Sequence, residues 1–348
     1  MKILIIGPSW VGDMVMSQCL YTELKKMHPD AVIDVMAPGW CKPVLERMVE
    51  VNQAIEMPLG HGDINLLARY QLGKQLRAQQ YDRAYILPNS AKSALLPFFS
   101  RIPHRIGWKG EMRYGLLNDL RNNKKAFDLM IERYIALAHP AAEMTGSGCL
   151  TDMPRPALQV DKVNQQQAME KFGLSSDRIA IGLCPGAEFG PAKRWPDEHF
   201  ATAAQQLIDQ GFQVWLFGSQ KDREVTDKIK AQLSEQAQTH CHNVAGSTSL
   251  IEAIDLLAAC DTVVSNDSGL MHVSAAVGCK VVALYGSTTP GYTPPLAKQV
   301  EILHTDIECR PCFKRECPLG HQKCLVDLAP QRILDAIERL HHHQASSC

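Results

Sequence analysis

The sequence is short of long hydrophobic runs and of any excess of charge of one sign. No apolar run reaches the roughly 18 residues that a membrane-spanning helix needs. The 36 basic and 37 acidic residues give a net charge of −1, which argues against general nucleic-acid binding. The apolar run at residues 3–6 is too short for a signal-peptide core, and no small-residue cleavage site follows it. We therefore expect a cytoplasmic protein.

What the chain does contain is typical of a globular protein. Its 348 residues predict about two domains. A composition of 45% hydrophobic and 21% charged residues argues against a disordered chain. Twelve cysteines occur without a recognisable export signal, so we expect them to be mostly reduced thiols.

Short β-rich runs alternate with helical periodicity, which predicts parallel sheets with crossover helices. The strand-like runs are residues 2–6, 32–36, 84–87, 179–183, 214–217, 262–265, 281–284 and 301–303. The weakly periodic stretch at 145–160 resembles a linker. We expect an α/β protein with two Rossmann-like domains, 1–155 and 156–328, whose parallel sheets face a central cleft. A helix and tail follow at 329–348, and packing back on the first domain is one arrangement open to them.

The loop after the first strand lacks the two common nucleotide-binding patterns. A P-loop would place Gly-Lys-Ser/Thr where this chain has Gly12, Asp13 and Met14, and the spacing of Gly7 and Gly12 does not fit a dinucleotide fingerprint. Asp13 lies at a helix start, where a carboxylate can cap free N–H groups. It could equally act as a general base, with Gly12 leaving room for a substrate.

Two loops of the second half are suited to binding an anion. The Gly- and Pro-rich loop at 184–196 presents Lys193 and Arg194 before a helix start. At 263–272 a buried strand runs through Asn-Asp-Ser-Gly directly into a helix, whose free N–H groups can bind phosphate. Asp267 could accept sugar hydroxyls. The structural alternative makes Asp267 or Ser268 an N-cap and His272 a satisfied, half-buried histidine.

Taken together, these loops resemble the bacterial ADP-heptose:lipopolysaccharide heptosyltransferases, a glycosyltransferase family of GT-B fold. The matching segments are residues 5–14, 186–196 and 266–272, and the first of them, with 87–98, is most like the heptosyltransferase II group. The resemblance covers roughly residues 1–340. It implies a metal-independent, inverting transferase without a cofactor, which binds ADP-heptose mainly in its second domain.

The resemblance also implies roles for individual residues. Asp13 occupies the position of the catalytic base, and Lys193 that of a contact to the donor phosphates which also stabilises the departing ADP. The remaining implied donor-binding residues are Asp222 near the ribose, Thr248 near the adenine, and the loop residues Asp267, Ser268, Gly269 and His272. Ala187 and Glu188 depart from the pattern, because the first heptosyltransferase carries hydroxyl residues there.

The implied acceptor is the heptosyl-Kdo2-lipid A core, which carries carboxylates and phosphates. Residues 92–125 hold eight basic and two acidic residues, a charge that suits an acidic acceptor or a membrane surface, or is simply a solvated face. We take Gly12, Lys92, Arg105 and Arg113 as candidate acceptor-binding residues. We also expect a monomer in peripheral contact with the inner leaflet of the inner membrane, with no nucleic acid as partner.

A cysteine cluster stands outside this scheme. Cys309, Cys312, Cys317 and Cys324 follow the spacing C-x2-C-x4-C-x6-C, with His321 inside it. The spacing resembles a loop zinc site but lacks a second C-x2-C. Reduced surface thiols, a structural metal and disulfides all remain open, and none implies a catalytic role.

Three other functions compete with this assignment. A sugar-nucleotide epimerase of GT-B-like fold would not require the basic segment at 92–125, and a non-catalytic sugar-binding protein would leave the placement of Asp13 unexplained. Transfer onto Kdo2-lipid A, the heptosyltransferase I type of reaction, is the third alternative.

Overall fold

The computed structural model describes residues 1–60 and 63–345, with side chains as far as His342. The chain forms two compact units. Unit 1 is Met1–Pro156, and unit 2 runs from Ala157 onward. Across the described residues, no helix has both the length and the apolar character that crossing a bilayer demands.

Unit 1 is built on a six-stranded parallel sheet with the order β3-β2-β1-β4-β5-β6. The strands are β1 Lys2–Ile6, β2 Val32–Ala37, β3 Val51–Glu56, β4 Arg83–Ile86, β5 His104–Trp108 and β6 Asp119–Arg121. The central strand β1 is apolar after its first residue and almost wholly buried. Such a continuous apolar run is typical of a strand that is covered on both faces.

Helices connect the strands of unit 1. They are α1 Val11–Met27, α2 Lys42–Leu45, α3 Leu66–Leu76, α4 Ala91–Phe99 and α5 Met130–Ile135. The apolar run at residues 94–99 lies in α4. Its Ala94 and Leu96 are fully buried, whereas Phe98 is partly exposed.

Unit 2 contains a second six-stranded parallel sheet, with the order β12-β11-β10-β7-β8-β9. Its strands are β7 Ala180–Cys184, β8 Gln213–Leu216, β9 Cys241–Asn243, β10 Thr262–Asn266, β11 Lys280–Leu284 and β12 Val300–Leu303. Its helices are α6 Lys162–Phe172, α7 Asp197–Asp209, α8 Arg223–Ala231, α9 Glu235–Gln238, α10 Leu250–Leu257, α11 Gly269–Ala276, α12 Lys323–Val326 and α13 Pro330–Ala345.

The last helix, α13, belongs to the core of unit 2. Its Ile333, Ile337 and Leu340 are buried in one cluster with Phe200 and Leu207 of α7. Packing back on the first domain, the arrangement that the sequence left open, is therefore not needed to bury its apolar face. The amphipathic pattern of α13 signals a buried face but does not say which sheet covers it.

In each sheet the chain adds its first three strands on one side and then the next three on the other, so the strand order switches between two neighbouring strands. In unit 1 these are β1 and β4, and in unit 2 they are β7 and β10. Ligands of open α/β sheets bind beyond the carboxyl ends of the strands at such a switch point. The loops after β1 and β4, and those after β7 and β10, are thus the places where the fold itself favours a site.

Candidate active site

A buried ion pair lies at the switch point of unit 2. Lys193 follows β7, and its Nζ is 2.6 Å from Oδ2 of Asp267, which follows β10. The same Oδ2 accepts a hydrogen bond of 2.6 Å from the hydroxyl of Thr288, in the loop after β11. Asp267 is only 6% exposed, so its charge is balanced by these neighbours more than by solvent. Three strand ends thus converge on one carboxylate.

The loop that carries Lys193 is held in place by Asn266. The Asn266 side chain accepts a hydrogen bond of 3.1 Å from the backbone N–H of Trp195 and donates one of 2.7 Å to the carbonyl of Pro185. Trp195 is fully buried, and its indole N–H donates to the carbonyl of Leu328 at 2.8 Å. The two ends of the 185–195 loop are therefore tied to β10, beside Asp267.

Phe189 adds an apolar wall to this loop. The Nζ of Lys193 lies 4.9 Å from the centroid of its ring, and the guanidinium of Arg315 lies 5.5 Å from it. An aromatic face attracts cations through its quadrupole. Lys193 is consequently held between an aromatic ring and a carboxylate, with its side chain only 14% exposed.

The start of α11 has the features of an anion site. Ser268 is its N-cap residue in extended conformation, and among the described residues its side chain makes no capping hydrogen bond. The Ser268 hydroxyl lies instead 3.3 Å from that of Ser265. The first N–H groups of α11, from Gly269 onward, therefore have no cap from the Ser268 side chain and are suited to an anion beyond the carboxyl end of β10.

His272 lies one turn into α11 and is buried. Burial lowers the pKa of His272 to about 4; the nearby Asp267 raises it by less, and Lys193 lowers it further. The imidazole is therefore neutral at physiological pH and can both donate and accept a hydrogen bond.

Asp222 and Thr248 occupy the neighbouring loops after β8 and β9. Oδ2 of Asp222 accepts hydrogen bonds from the backbone N–H and the hydroxyl of Ser219, at 2.9 and 2.7 Å. A Cβ on Gly186 would come within 2.6 Å of the Asp222 carboxylate, so the two loops approach as closely as glycine allows. The Thr248 hydroxyl donates to the carbonyl of Val244 at 3.4 Å.

Glu188, one of the two positions that depart from the family pattern, forms an exposed ion pair. Its carboxylate lies 2.6 Å from the Nζ of Lys221. The pair links the loop after β7 to the loop after β8 at the surface. Ala187, the other departing position, is buried.

In unit 1, Asp13 is the third residue of α1. The N-cap residue is Trp10, which makes no side-chain cap among the described residues, so Asp13 is a first-turn acid and not the N-cap. A negative charge in the first turn is stabilised by the helix dipole. Gly12 is buried beside it. The preceding loop is fixed by Trp40, whose indole N–H donates to the carbonyl of Ser9 at 2.8 Å.

Two of the candidate acceptor-binding residues donate hydrogen bonds to backbone carbonyls. Arg113 is fully buried and donates to the carbonyls of Pro88, at 2.6 Å, and Trp108. Arg105 donates to the carbonyls of Leu116 and Ile102, both at 2.6 Å. Burial lowers the pKa of both guanidinium groups, that of Arg113 to about 10. Charge patterning cannot reveal these contacts to backbone carbonyls, and the assignment of both residues to the acceptor stays a prediction.

Lys92, in the first turn of α4, is half-buried and also stays a candidate. Within the segment 92–125, the cations that are exposed are Arg101, Lys109 and Lys125. Thr288, Asn266 and Phe189 were missed by sequence reasoning. The signal available for Thr288 was its position just beyond the carboxyl end of a predicted strand.

Comparison with known proteins gives the family. A model of glycosyltransferase family 9 (heptosyltransferase) matches residues 69–323. Lipopolysaccharide heptosyltransferase 2 of Escherichia coli (strain K12) is 53% identical over 345 residues, which are 98% of each chain. Lipooligosaccharide heptosyltransferase 2 of Haemophilus influenzae (strain ATCC 51907 / DSM 11121 / KW20 / Rd) is 51% identical over 347 residues, 98% of this chain and 99% of the relative.

Solved structures agree with this result. The structure of E. coli ADP-heptose lps heptosyltransferase II has a TM-score of 0.90 and 50% identity, covering 99% of this chain and 100% of that one. The predicted GT-B-type α/β fold, the family resemblance and the glycosyltransferase class are thereby confirmed. The chain belongs to glycosyltransferase family 9, the heptosyltransferases.

Proposed function

We propose that this enzyme transfers L-glycero-D-manno-heptose from ADP-heptose onto the first heptose of the lipopolysaccharide inner core, heptosyl-Kdo2-lipid A, with inversion at the anomeric carbon. The identity of 50–53% to heptosyltransferases II over nearly the full chain supports this choice of donor and acceptor. The observation that carries the proposal is the convergence of Lys193, Asp267 and Thr288 on the switch point of unit 2.

On the donor side, Lys193 and the start of α11 bind the pyrophosphate. A phosphate oxygen competes with Asp267 for the Lys193 ammonium. Phosphate oxygens also accept hydrogen bonds from the backbone N–H groups that begin at Gly269. Asp267, relieved of its cation, then accepts hydroxyl groups of the sugar, and the neutral His272 supplies one further hydrogen bond. Positive charge that is already in position stabilises ADP as it departs, which is the role that a metal has in other transferases.

The nucleoside is bound by the loops after β8 and β9. The carboxylate of Asp222 is the acidic group that we assign to the ribose hydroxyls. Its Oδ2 already accepts two hydrogen bonds from Ser219, which hold the carboxylate in position. Thr248 lies in the next loop and is assigned to the adenine. These two assignments follow the family pattern, and the closeness of Gly186 to Asp222 supports the first.

On the acceptor side, Asp13 removes the proton from the attacking heptose hydroxyl. A positioned general base of this kind contributes roughly 10²–10⁴-fold to the rate. Lys92 and the exposed Lys109 and Lys125 attract the phosphates and carboxylates of the inner core. We place the enzyme in the cytoplasm, in peripheral contact with the inner membrane, because its acceptor is a lipid.

The test is a transfer assay with ADP-heptose and defined truncated cores, read by product mass. Addition of one heptose to heptosyl-Kdo2-lipid A is expected. Addition to Kdo2-lipid A alone would indicate the heptosyltransferase I reaction, and isomerised donor without transfer would indicate an epimerase. Asp13→Ala should abolish transfer while ADP-heptose still binds, and Asp30→Ala, an exposed acid just after α1, is the matched control. Near wild-type turnover by Asp13→Ala would remove Asp13 from the mechanism.

A further inference from the structure

Four cysteines converge on one small cavity in unit 2. Between β12 and α12, residues 304–322 contain turns but no helix or strand. Cys309, Cys312, Cys317 and Cys324 all line the same cavity, together with Ala192 and Ser287. None of the four is in a disulfide. The irregular segment thus brings three of these thiols, and α12 the fourth, to one cavity.

The wall of the cavity also contains an unsatisfied polar atom. The hydroxyl of Ser287 is buried and, among the described residues, has no hydrogen-bond partner. Buried hydroxyls are almost always paired. Its position in the wall of the cysteine-lined cavity is consistent with a polar occupant.

We propose that Cys309, Cys312, Cys317 and Cys324 bind one metal ion of the zinc and iron class in a tetrahedral tetrathiolate site. Four thiolates select such soft ions over Mg²⁺ or Ca²⁺. Among the described residues no three Cys, His, Asp or Glu side chains already have the geometry of metal ligands, so the thiols must rotate toward the ion. Binding releases the thiol protons to solvent and requires no oxidant.

The loop that the ion would hold makes backbone hydrogen bonds to the two segments that carry Lys193 and Thr288. Ala192, next to Lys193, donates its N–H to the carbonyl of Arg315 at 3.0 Å. Phe313 donates its N–H to the carbonyl of Ser287, next to Thr288, at 2.8 Å.

The guanidinium of Arg310 strengthens the second of these supports. It donates to the carbonyls of Gly286 and Thr288, at 3.2 and 3.1 Å. A metal ion that fixes residues 309–324 therefore also fixes the backbone on which Lys193 and Thr288 reach Asp267.

The first test is metal content. The full chain, purified anaerobically with a reductant, is expected to hold about one equivalent of zinc or iron by mass spectrometry. Cys312→Ser and Cys317→Ser should each lose it, and Cys149→Ser, at an exposed cysteine of unit 1, should retain it. Substitution with Co²⁺ should produce the sulfur-to-cobalt charge-transfer absorption in the wild type and in Cys149→Ser, but not in the two cluster variants.

Two results would overturn the site. One is a chain that takes up less than a tenth of an equivalent of Zn²⁺, Fe²⁺ or Co²⁺ on anaerobic reconstitution. The other is a disulfide between these cysteines in the anaerobically purified protein. Circular dichroism of each variant separates loss of the metal from loss of the fold.

The second test addresses the support of the donor site. Removing the ion with a chelator should speed proteolysis within 309–324 and weaken ADP binding several-fold, and restoring the ion should reverse both effects. Unchanged ADP affinity in metal-free protein would show that the ion does not brace the loops of Lys193 and Thr288. Neither readout requires heptosyl transfer, so metal binding can be judged even if the proposed acceptor is wrong.

Discussion

The pair of Lys193 and Asp267 is costly to bury and is therefore informative. Both side chains are removed from solvent, and a single buried charge without its partner would destabilise the fold. The pair keeps a cation ready at the switch point while no donor is bound. It also explains why an acid can stand beside a phosphate site, since the acid faces hydroxyl groups once phosphate has taken the lysine.

We expect Lys193→Met to weaken ADP binding by about 1.5–3 kcal/mol, the usual value of a charge-assisted hydrogen bond. Asp267→Asn should weaken donor binding less for ADP than for ADP-heptose, because only the latter carries the heptose hydroxyls. Calorimetric titration of each variant and of the double variant with ADP and with ADP-heptose measures both losses of binding free energy. Lys221→Met, at an exposed ion pair, is the control, and an equal effect there would rule out a special role for Lys193.

His272 predicts how stability depends on pH. Burial lowers its pKa to about 4 from an ordinary value of 6.5, so the unfolded chain binds a proton that the folded chain excludes between these two values. The free energy of unfolding should therefore fall as the pH drops below about 6.5, by at most about 1.4 kcal/mol per pH unit, and this contribution should level off below about pH 4.

Urea unfolding of wild type and His272→Gln at several pH values measures this contribution as a difference. The variant should lose part of the pH dependence in that window, and His342→Gln, at an exposed histidine, should not. Parallel curves for wild type and His272→Gln would contradict the assignment of a neutral, buried imidazole.

Among the structural elements, the loop between β5 and β6 shows how a basic segment can be internal. Arg113 joins the carbonyl of Pro88, beyond β4, to that of Trp108, at the end of β5. Glu111 of the same loop accepts the backbone N–H of Ala91 at the start of α4, at 2.8 Å. Together they fix the loop after β4, which lies at the switch point of unit 1.

We expect Arg113→Met to lower the free energy of unfolding by about 2–4 kcal/mol, because it leaves the buried carbonyl of Trp108 and the part-buried carbonyl of Pro88 without this donor. Thermal and urea unfolding measure the loss. Lys125→Met, at an exposed cation of the same segment, should change stability by no more than about 0.5 kcal/mol. A stability loss at Lys125 as large as that at Arg113 would contradict the structural account.

For the whole molecule, each unit has its own parallel sheet and its own buried core. We therefore expect residues 157–348 alone to unfold cooperatively and to bind ADP with an affinity close to that of the full chain, but to transfer no heptose. Calorimetry and a transfer assay check the three outcomes. A fragment that folds but fails to bind ADP would show that the donor site is not contained in unit 2.

Much of the architecture could be predicted from the sequence, because it depends on local pattern. The apolar runs that became β1, β7, β10 and β11 needed only their own residues to be recognised. The strands that sequence reasoning missed are β3, β5, β6 and β9, which are short, polar or at an edge. Their conformation is decided by pairing with a neighbour, and pairing is not visible in a single sequence.

The sequence by itself determined the fold class, the family and the loops that carry Asp13, Lys193 and Asp267, because those loops follow recognisable strands and hold distinctive residue types. Only the tertiary structure decided that Thr288 joins Lys193 on Asp267, that Arg105 and Arg113 donate to backbone carbonyls, and that four cysteines line one cavity. The physical reason is that a charge or a thiol acquires its role from the groups packed around it, and those groups come from distant parts of the chain.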